Sequence, residues 1–170
     1  MLDRPKPEEA ASYYSKYIDL VASGDIVSAL ETQLRETTAF LTTVSEEKSL
    51  HRYAPDKWTI REVLSHIIDG ERVFAFRALW FARGSSDPLP GFEQDDYVQA
   101  SGANQIDWAS QVEEFQRVRL STISLFRNLP VEAWSREGIA SDNPFTVRAL
   151  AYILAGHVSH HLNIIKQRYL

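Results

Sequence analysis

The stretch Trp58-Thr59-Ile60-Arg61-Glu62-Val63-Leu64-Ser65-His66 reads as the start of a long helix that runs to about Arg83. Thr59 is placed to cap the first free N–H groups, and Glu62, three residues on, completes a capping box. Val63, Ile67, Phe74, Ala78 and Phe81 make its inward stripe. Leu64, Phe76, Leu79 and Trp80 fall off that stripe. A helix apolar on more than one side is covered by more than its own bundle, which points to a subunit contact. His66 sits at the edge of the inward stripe. Gly70, one turn on, leaves room beside the imidazole.

The same pattern recurs near the C-terminus. Phe145-Thr146-Val147-Arg148-Ala149-Leu150-Ala151 again places an aromatic, a capping threonine, a β-branched residue and an arginine before apolar residues. It opens a helix running to about Tyr169. On a 100° wheel its apolar stripe is Val147, Leu150, Ala151, Leu154, Val158, Ile164 and Ile165, with Arg148, Tyr152, Ser159 and Lys166 opposite. His161 falls within that stripe and His157 just inside one edge. The two are one turn apart on one face, a spacing that lets both imidazoles bind one ion. His160 is turned toward the flank.

Pro7-Glu8-Glu9 reads as the start of an extra N-terminal helix carrying Tyr13, Tyr14, Tyr17, Ile18 and Val21, ended by Ser23-Gly24-Asp25. Asp25 caps the first bundle helix, about Ile26 to Val44. Asp107 opens another, to about Asn128. Pro130 to Trp134 reads as one short turn, and Gly138 to Pro144 as loop. Residues 84–106 show no clear periodicity and are long for a connection within a domain. A crossover of that length makes the second and third bundle helices parallel, while short connections make the other steps antiparallel. The expected fold is all-α: an up-down-down-up four-helix bundle over residues 26–170, with residues 1–25 as an N-terminal extension, in one domain.

Axial position then brings in a third histidine. His66 lies roughly 10 Å along its helix from Thr59, and His161 roughly 12 Å before Tyr169. In antiparallel neighbours those positions are level. A lone inward histidine is more often a core residue bonded to a carbonyl or carboxylate. Two on one inward face, with another on the neighbouring helix, need several separate partners, whereas one cation satisfies them together.

Composition narrows the function. The 170 residues are 44% apolar and 24% charged, with a net charge of −5 and no basic block. This argues against nucleic acid as a partner. No apolar run approaches the roughly 18 residues of a membrane span, and the first residues show no apolar leader. With no cysteine, thiolate metal sites, disulfides and a thiol nucleophile of the chain's own are excluded. The same absence suits a cytoplasmic location.

Three segments resemble the DinB/YfiT-like superfamily of metal-dependent enzymes: Lys57 to His66, the loop Pro90-Gly91-Phe92-Glu93-Gln94-Asp95-Asp96-Tyr97, and His157-Val158-Ser159-His160-His161. The resemblance covers about Ile26 to the end. It implies an up-down-down-up bundle, commonly dimeric, with a divalent metal held by His66, His157 and His161. Position 158, often acidic in relatives, is valine here. Some members are transferases or isomerases that use low-molecular-weight thiols.

Three imidazoles leave a coordination position open, as in catalytic sites. Zn²⁺ and Ni²⁺ rank first as occupants, and Fe, Mn and Cu are also compatible. The expected partners are a small-molecule substrate, with a low-molecular-weight thiol as one candidate, and a second copy of the chain. The reading is a metal-dependent enzyme, a thiol S-transferase or a hydrolase; the alternative is a non-catalytic metal-binding bundle. Glu62 and Asp69 flank His66 by about a turn and are candidates to orient it, although capping and solvated charge explain each more simply. Glu71 faces the core side and is expected near Arg77 or Tyr152. Asp95 and Asp96 are candidates for a lid, although loop charge explains them more simply. No nucleophile elbow, phosphate loop or paired catalytic carboxylates occurs, so no catalytic side chain is assigned.

Overall fold

Each of the four longest helices begins where a side chain accepts its free N–H groups. Asp25 accepts from Val27 N (3.0 Å), Thr59 from Glu62 N (3.1 Å), Asp107 from Ser110 N (2.9 Å) and Thr146 from Ala149 N (3.0 Å). At Thr59 the capping box is complete, because Glu62 in turn accepts from Thr59 N at 2.7 Å. The computed structural model describes residues 3–170. Met1 and Leu2, which open the segment read above as carrying no apolar leader, lie outside that range.

In chain order the helices are α1 (Ser15–Ile18), α2 (Ile26–Leu41), α3 (Glu46–Ser49), α4 (Ile60–Ala82), α5 (Gln94–Ala100), α6 (Trp108–Arg127) and α7 (Val147–Ile164). A π-helical turn, Ile165–Tyr169, extends α7. The bundle consists of α2, α4, α6 and α7, and three hydrogen bonds give its directions. Trp108 Nε1, at the start of α6, donates to Leu41 O at the end of α2 (3.0 Å), so α2 and α6 are antiparallel. Tyr169 OH, beyond the end of α7, donates to Trp58 O before the start of α4 (2.8 Å), so α4 and α7 are antiparallel. Arg61 Nη1, in the first turn of α4, donates to Ile106 O just before α6 (2.6 Å), so those two run parallel. This is the up-down-down-up arrangement expected from the long crossover.

Two apolar clusters fill the bundle. One gathers Leu41, Ile60, Leu64, Ile67, Phe115 and Val158 toward the start of α4. The other gathers Leu30, Ala78, Phe81, Phe126, Leu150 and Leu154 toward its end. Between them lies a polar level. Arg119 is fully buried and grips Glu71 with both arms of its guanidinium (Nε–Oε1 2.7 Å, Nη2–Oε2 2.8 Å). Its remaining Nη1 donates to Gln33 Oε1 (2.7 Å), and Gln33 Nε2 donates to Ala155 O and Ser159 Oγ, both at 2.8 Å. One network thereby joins all four helices. Glu71 meets Arg119, not Arg77 or Tyr152 as expected from sequence. Residue 119 is level with it because α4 and α6 are parallel.

Other expectations change as well. The N-terminal segment is not one continuous helix. It is a series of turns, Pro7–Glu9, Ser12–Tyr14 and α1, broken at extended Ala10, which bridges to Phe145. Glu9 anchors it, accepting from Thr146 Oγ1 (2.7 Å) and pairing with Arg148. The outer face of α7 is covered as a result. Tyr152, placed opposite the stripe on the wheel, is fully buried, and its OH reaches Gly24 O (3.1 Å). At Gly156 a Cβ would collide with the backbone carbonyl of Tyr17, so only glycine lets α1 lie this close. Leu64, assigned to a subunit contact, is instead buried within the chain, whereas Phe76 and Leu79 remain exposed.

The crossover is also more ordered than its composition suggests, since it contains α5 and a 3₁₀ turn, Ala103–Gln105. Gly138 to Pro144 belongs to a hairpin, β1 (Glu137–Ala140) paired with β2 (Asn143–Thr146). Its turn residues Ser141 and Asp142 take φ of 50° and 60°, the left-handed pair that a two-residue hairpin turn demands.

Candidate metal centre

Helices α4 and α7 bring His66, His157 and His161 together. His157 Nε2 lies 3.0 Å from His66 Nε2 and 3.1 Å from His161 Nε2. The ring centroids form a near-equilateral triangle, with separations of 4.8, 4.8 and 4.5 Å. Antiparallel packing sets the level, and the one-turn spacing of His157 and His161 sets two corners. Among the described residues no other His, Asp or Glu joins the group.

A ring nitrogen carries either one proton or one lone pair. Only one of the two contacts at His157 Nε2 can therefore be an ordinary hydrogen bond. His66 Nδ1 is buried without a partner, so this ring's polar engagement is through Nε2 alone. A single cation between the three nitrogens removes the conflict. Two imidazole ligands of one Zn²⁺, at bonds of about 2.05 Å and angles between 90° and tetrahedral, have nitrogens about 2.9–3.4 Å apart. The observed separations fall in that range, so the donor set fits a divalent ion.

Protonation favours the same fit. Burial pushes His66 down to about 4, against a small opposing effect of Asp95. Burial, reinforced by the neighbouring histidines, pushes His161 down to about 3 and His157 well below its ordinary value. All three rings are neutral at pH 7, the form that binds metal. In metal-free protein this creates a pH dependence whose sign is fixed. The unfolded chain binds protons near 6.5 and the folded chain does not, so stability is fully present above about 6.5 and declines as pH falls toward 4. Each of these histidines is expected to remove about 1.4 kcal/mol per pH unit in that window. Urea midpoints of chelator-treated protein at pH 7.0, 6.0 and 5.0 test this; a flat profile would contradict it.

His66 and His157 open on a cavity of about 320 Å³. Its inner wall carries Tyr14, Tyr17, Phe74, Arg77 and Ser141, and its rim carries the exposed Glu93 and Asp95. Tyr17 packs edge-on against His157 (centroids 5.4 Å apart). Burial raises the hydroxyl pKa of both Tyr14 and Tyr17, so both stay protonated and act as hydrogen-bond donors. Phe74 stands edge-on to the other side of His157 (5.8 Å).

The remaining sequence candidates divide. His160 is outside the triangle and packs against Tyr17. Gly70 makes room, but for His157 rather than His66: a Cβ there would stand 2.9 Å from His157 Cε1. Glu62 is spent on its cap and on Asn104 (2.8 Å), and Asp69 pairs with Arg72 (3.5 Å), so neither orients His66. Asp95 reaches the rim and Asp96 does not line the cavity. Sequence reasoning missed Tyr14, Tyr17, Phe74, Arg77 and Ser141. For Phe74 and Arg77 a signal existed, because residues 66, 70, 74 and 77 repeat at helical spacing on one face of α4. For the tyrosines and Ser141 no local signal existed, because they arrive from the extension and the hairpin.

Comparison with known proteins follows the same lines. No curated protein matches the chain in sequence. In structure the chain is similar to YfiT from Bacillus subtilis, described as a probable metal-dependent hydrolase with an unusual four-helix bundle topology. They are 18% identical, the match covers 96% of this chain and 91% of that chain, and the TM-score is 0.73. It is also similar to a mycothiol-dependent maleylpyruvate isomerase, at 10% identity and a TM-score of 0.68, over 81% of this chain and 58% of that chain. These likenesses establish the fold alone. No helix of the described residues is long and apolar enough to cross a membrane. Residues 29–165 match the model of the DinB superfamily, and with that match spanning most of its length the chain belongs to the DinB superfamily.

Proposed function

We propose that this chain is a divalent-metal-dependent enzyme acting on a small molecule, with the ion held by His66, His157 and His161. The observation that carries the reading is the convergence of three neutral imidazoles, those of His66 and His157 buried and that of His161 half-buried, beside a cavity that His66 and His157 line. Among the described residues three protein donors meet there, which would leave room for a water or a substrate atom, the arrangement of catalytic rather than structural sites. A bound ion would supply an acidified water or an activated thiolate at neutral pH. The chain's own residues supply the rest. The two histidines on α7 and the one on α4 would hold the ion beside the cavity that His66 and His157 line. Tyr14 and Tyr17 donate hydrogen bonds to a bound substrate, and Phe74 keeps water from one flank of His157.

Within this reading the ion is Zn²⁺ or Ni²⁺, and the reaction is transfer of a low-molecular-weight thiol or hydrolysis. The chain has no cysteine, so a thiol would enter as a cosubstrate. The isomerase resembled above is mycothiol-dependent, which favours including thiols in the test. We also propose a cytoplasmic homodimer. Exposed Phe76 and Leu79 line an apolar groove of about 650 Å³ between α4 and α6, and a second copy would cover it.

The test is metal analysis of purified protein, then a screen of metal-loaded protein against small electrophiles with several thiols, with and without the metal. One equivalent of metal and metal-dependent turnover are expected. A fourth protein ligand on the ion, or binding without any turnover, would favour a non-catalytic bundle. Less than stoichiometric metal would sink the assignment.

A further inference from the structure

We propose that Arg77 anchors a carboxylate of the substrate in this cavity, an inference that rests on reading the cavity as the active site. Three arginines of the chain are almost completely buried: Arg61 at 3%, Arg77 at 2% and Arg119 at 0% exposure. Arg61 pairs with Glu46 and Arg119 with Glu71. Among the described residues no carboxylate comes within ion-pair distance of Arg77. A buried charge without a counterion is costly, and proteins rarely keep one without a use.

The guanidinium is held by one of its nitrogens. Arg77 Nη2 donates to Pro90 O (3.0 Å) and to Ser141 Oγ (2.8 Å), which fixes its plane against the crossover and the hairpin turn. Neither contact uses Nε or Nη1. The Phe74 and Phe145 rings lie 5.9 and 6.0 Å from Cζ and give the cation partial compensation from two sides. The Tyr14 hydroxyl lies within hydrogen-bonding reach of the guanidinium. Arg77 lies on the same face of α4 as His66, roughly 16 Å further along the axis, and helical side chains lean back toward the N-terminus. Cation and imidazoles thus face one cavity from opposite ends, with Phe74 between them. A ligand spanning both has a carboxylate at one end and its reacting group a few atoms away.

The charge pattern selects among anions. The interior carries one cation, and the exposed rim carries Glu93 and Asp95. A singly charged carboxylate passes that rim and matches the fork of an arginine. A phosphate dianion meets more repulsion at the rim and finds neither a second cation nor a glycine-rich loop inside.

The test uses zinc-loaded full-length protein titrated with butyrate, butyramide and inorganic phosphate, read by the Arg77 side-chain Nε–H resonance and by calorimetry. Butyrate is expected to move that resonance saturably, and butyramide and phosphate to bind at least about tenfold more weakly. Arg77→Gln is expected to weaken butyrate at least about tenfold with unchanged zinc stoichiometry, and Arg77→Lys to retain most of the affinity. A carboxylate held by the ion alone would bind Arg77→Gln as well as wild type, and that result overturns the proposal. So would equal binding of butyrate and butyramide. If Arg77→Gln does not fold, the wild-type resonance decides. Zinc content of the same samples separates the two readings. Absent zinc with Arg77-dependent butyrate binding removes the metalloenzyme and keeps the carboxylate site. Full zinc with no Arg77 response does the reverse.

Discussion

Glu71→Ala is expected to cost about 3–5 kcal/mol of folding stability, the penalty of leaving a buried arginine without its carboxylate. Arg119 is fully enclosed and Glu71 nearly so, and the pair is bidentate. Removing Glu71 strands a charge that neither water nor Gln33 can neutralise. For a chain of this size the loss corresponds to a melting shift on the order of 10 °C. Urea denaturation at pH 7 measures it, and a cost below about 1 kcal/mol would show that water reaches Arg119. The companion double variant, Glu71→Leu with Arg119→Met, is expected to recover most of the stability, because replacing a whole buried pair with apolar groups is often neutral or favourable. The pair's contribution is therefore to alignment: it locks α4 and α6 in parallel register and, through Gln33, ties them to α2 and α7.

Saturating zinc is expected to raise the stability of metal-free protein by about 4 kcal/mol when free zinc is a thousand times its dissociation constant. His157→Ala is expected to lose that increment entirely, since its Nε2 contacts both other imidazoles. Gly70→Ala is the subtler variant. Alanine favours the helix by about 0.8–1.0 kcal/mol over glycine. Its Cβ, however, would stand 2.9 Å from His157 Cε1, and that ring is held between Tyr17, Phe74 and the other histidines, so it has little freedom to yield. Metal-free Gly70→Ala is thus expected to be no more stable than wild type, because the clash offsets the helix gain, while its zinc affinity falls at least about tenfold. Denaturation with and without zinc separates the two effects. Unchanged zinc affinity would mean that the His157 ring is not held where the triangle requires.

The helical framework was legible because its signals are local. Asp25, Thr59, Asp107 and Thr146 each cap a helix with a bond spanning two or three residues, and the inward stripes follow from a 3.6-residue repeat. His157 and His161 could be paired because one helical turn separates them. His66 could be added because two antiparallel helices with known starts fix axial level. Thr59 and Glu62 show the limit of such reading. They also bind Asn104, a residue of the crossover that no local pattern connects to them.

What sequence alone determined is the set of four capped helices, their up-down-down-up order and the three histidines that share one level, because each depends on spacing along the chain. Tertiary structure decided which polar residues meet. It paired Glu71 with Arg119, buried Tyr152 beneath the extension, gave Gly70 to His157, and left Arg77 without a carboxylate at the end of a cavity. These outcomes depend on lateral packing between elements that are distant in sequence. A helical wheel shows which face a side chain occupies, but only the assembled neighbours decide whether that face meets a partner, a ring or open space.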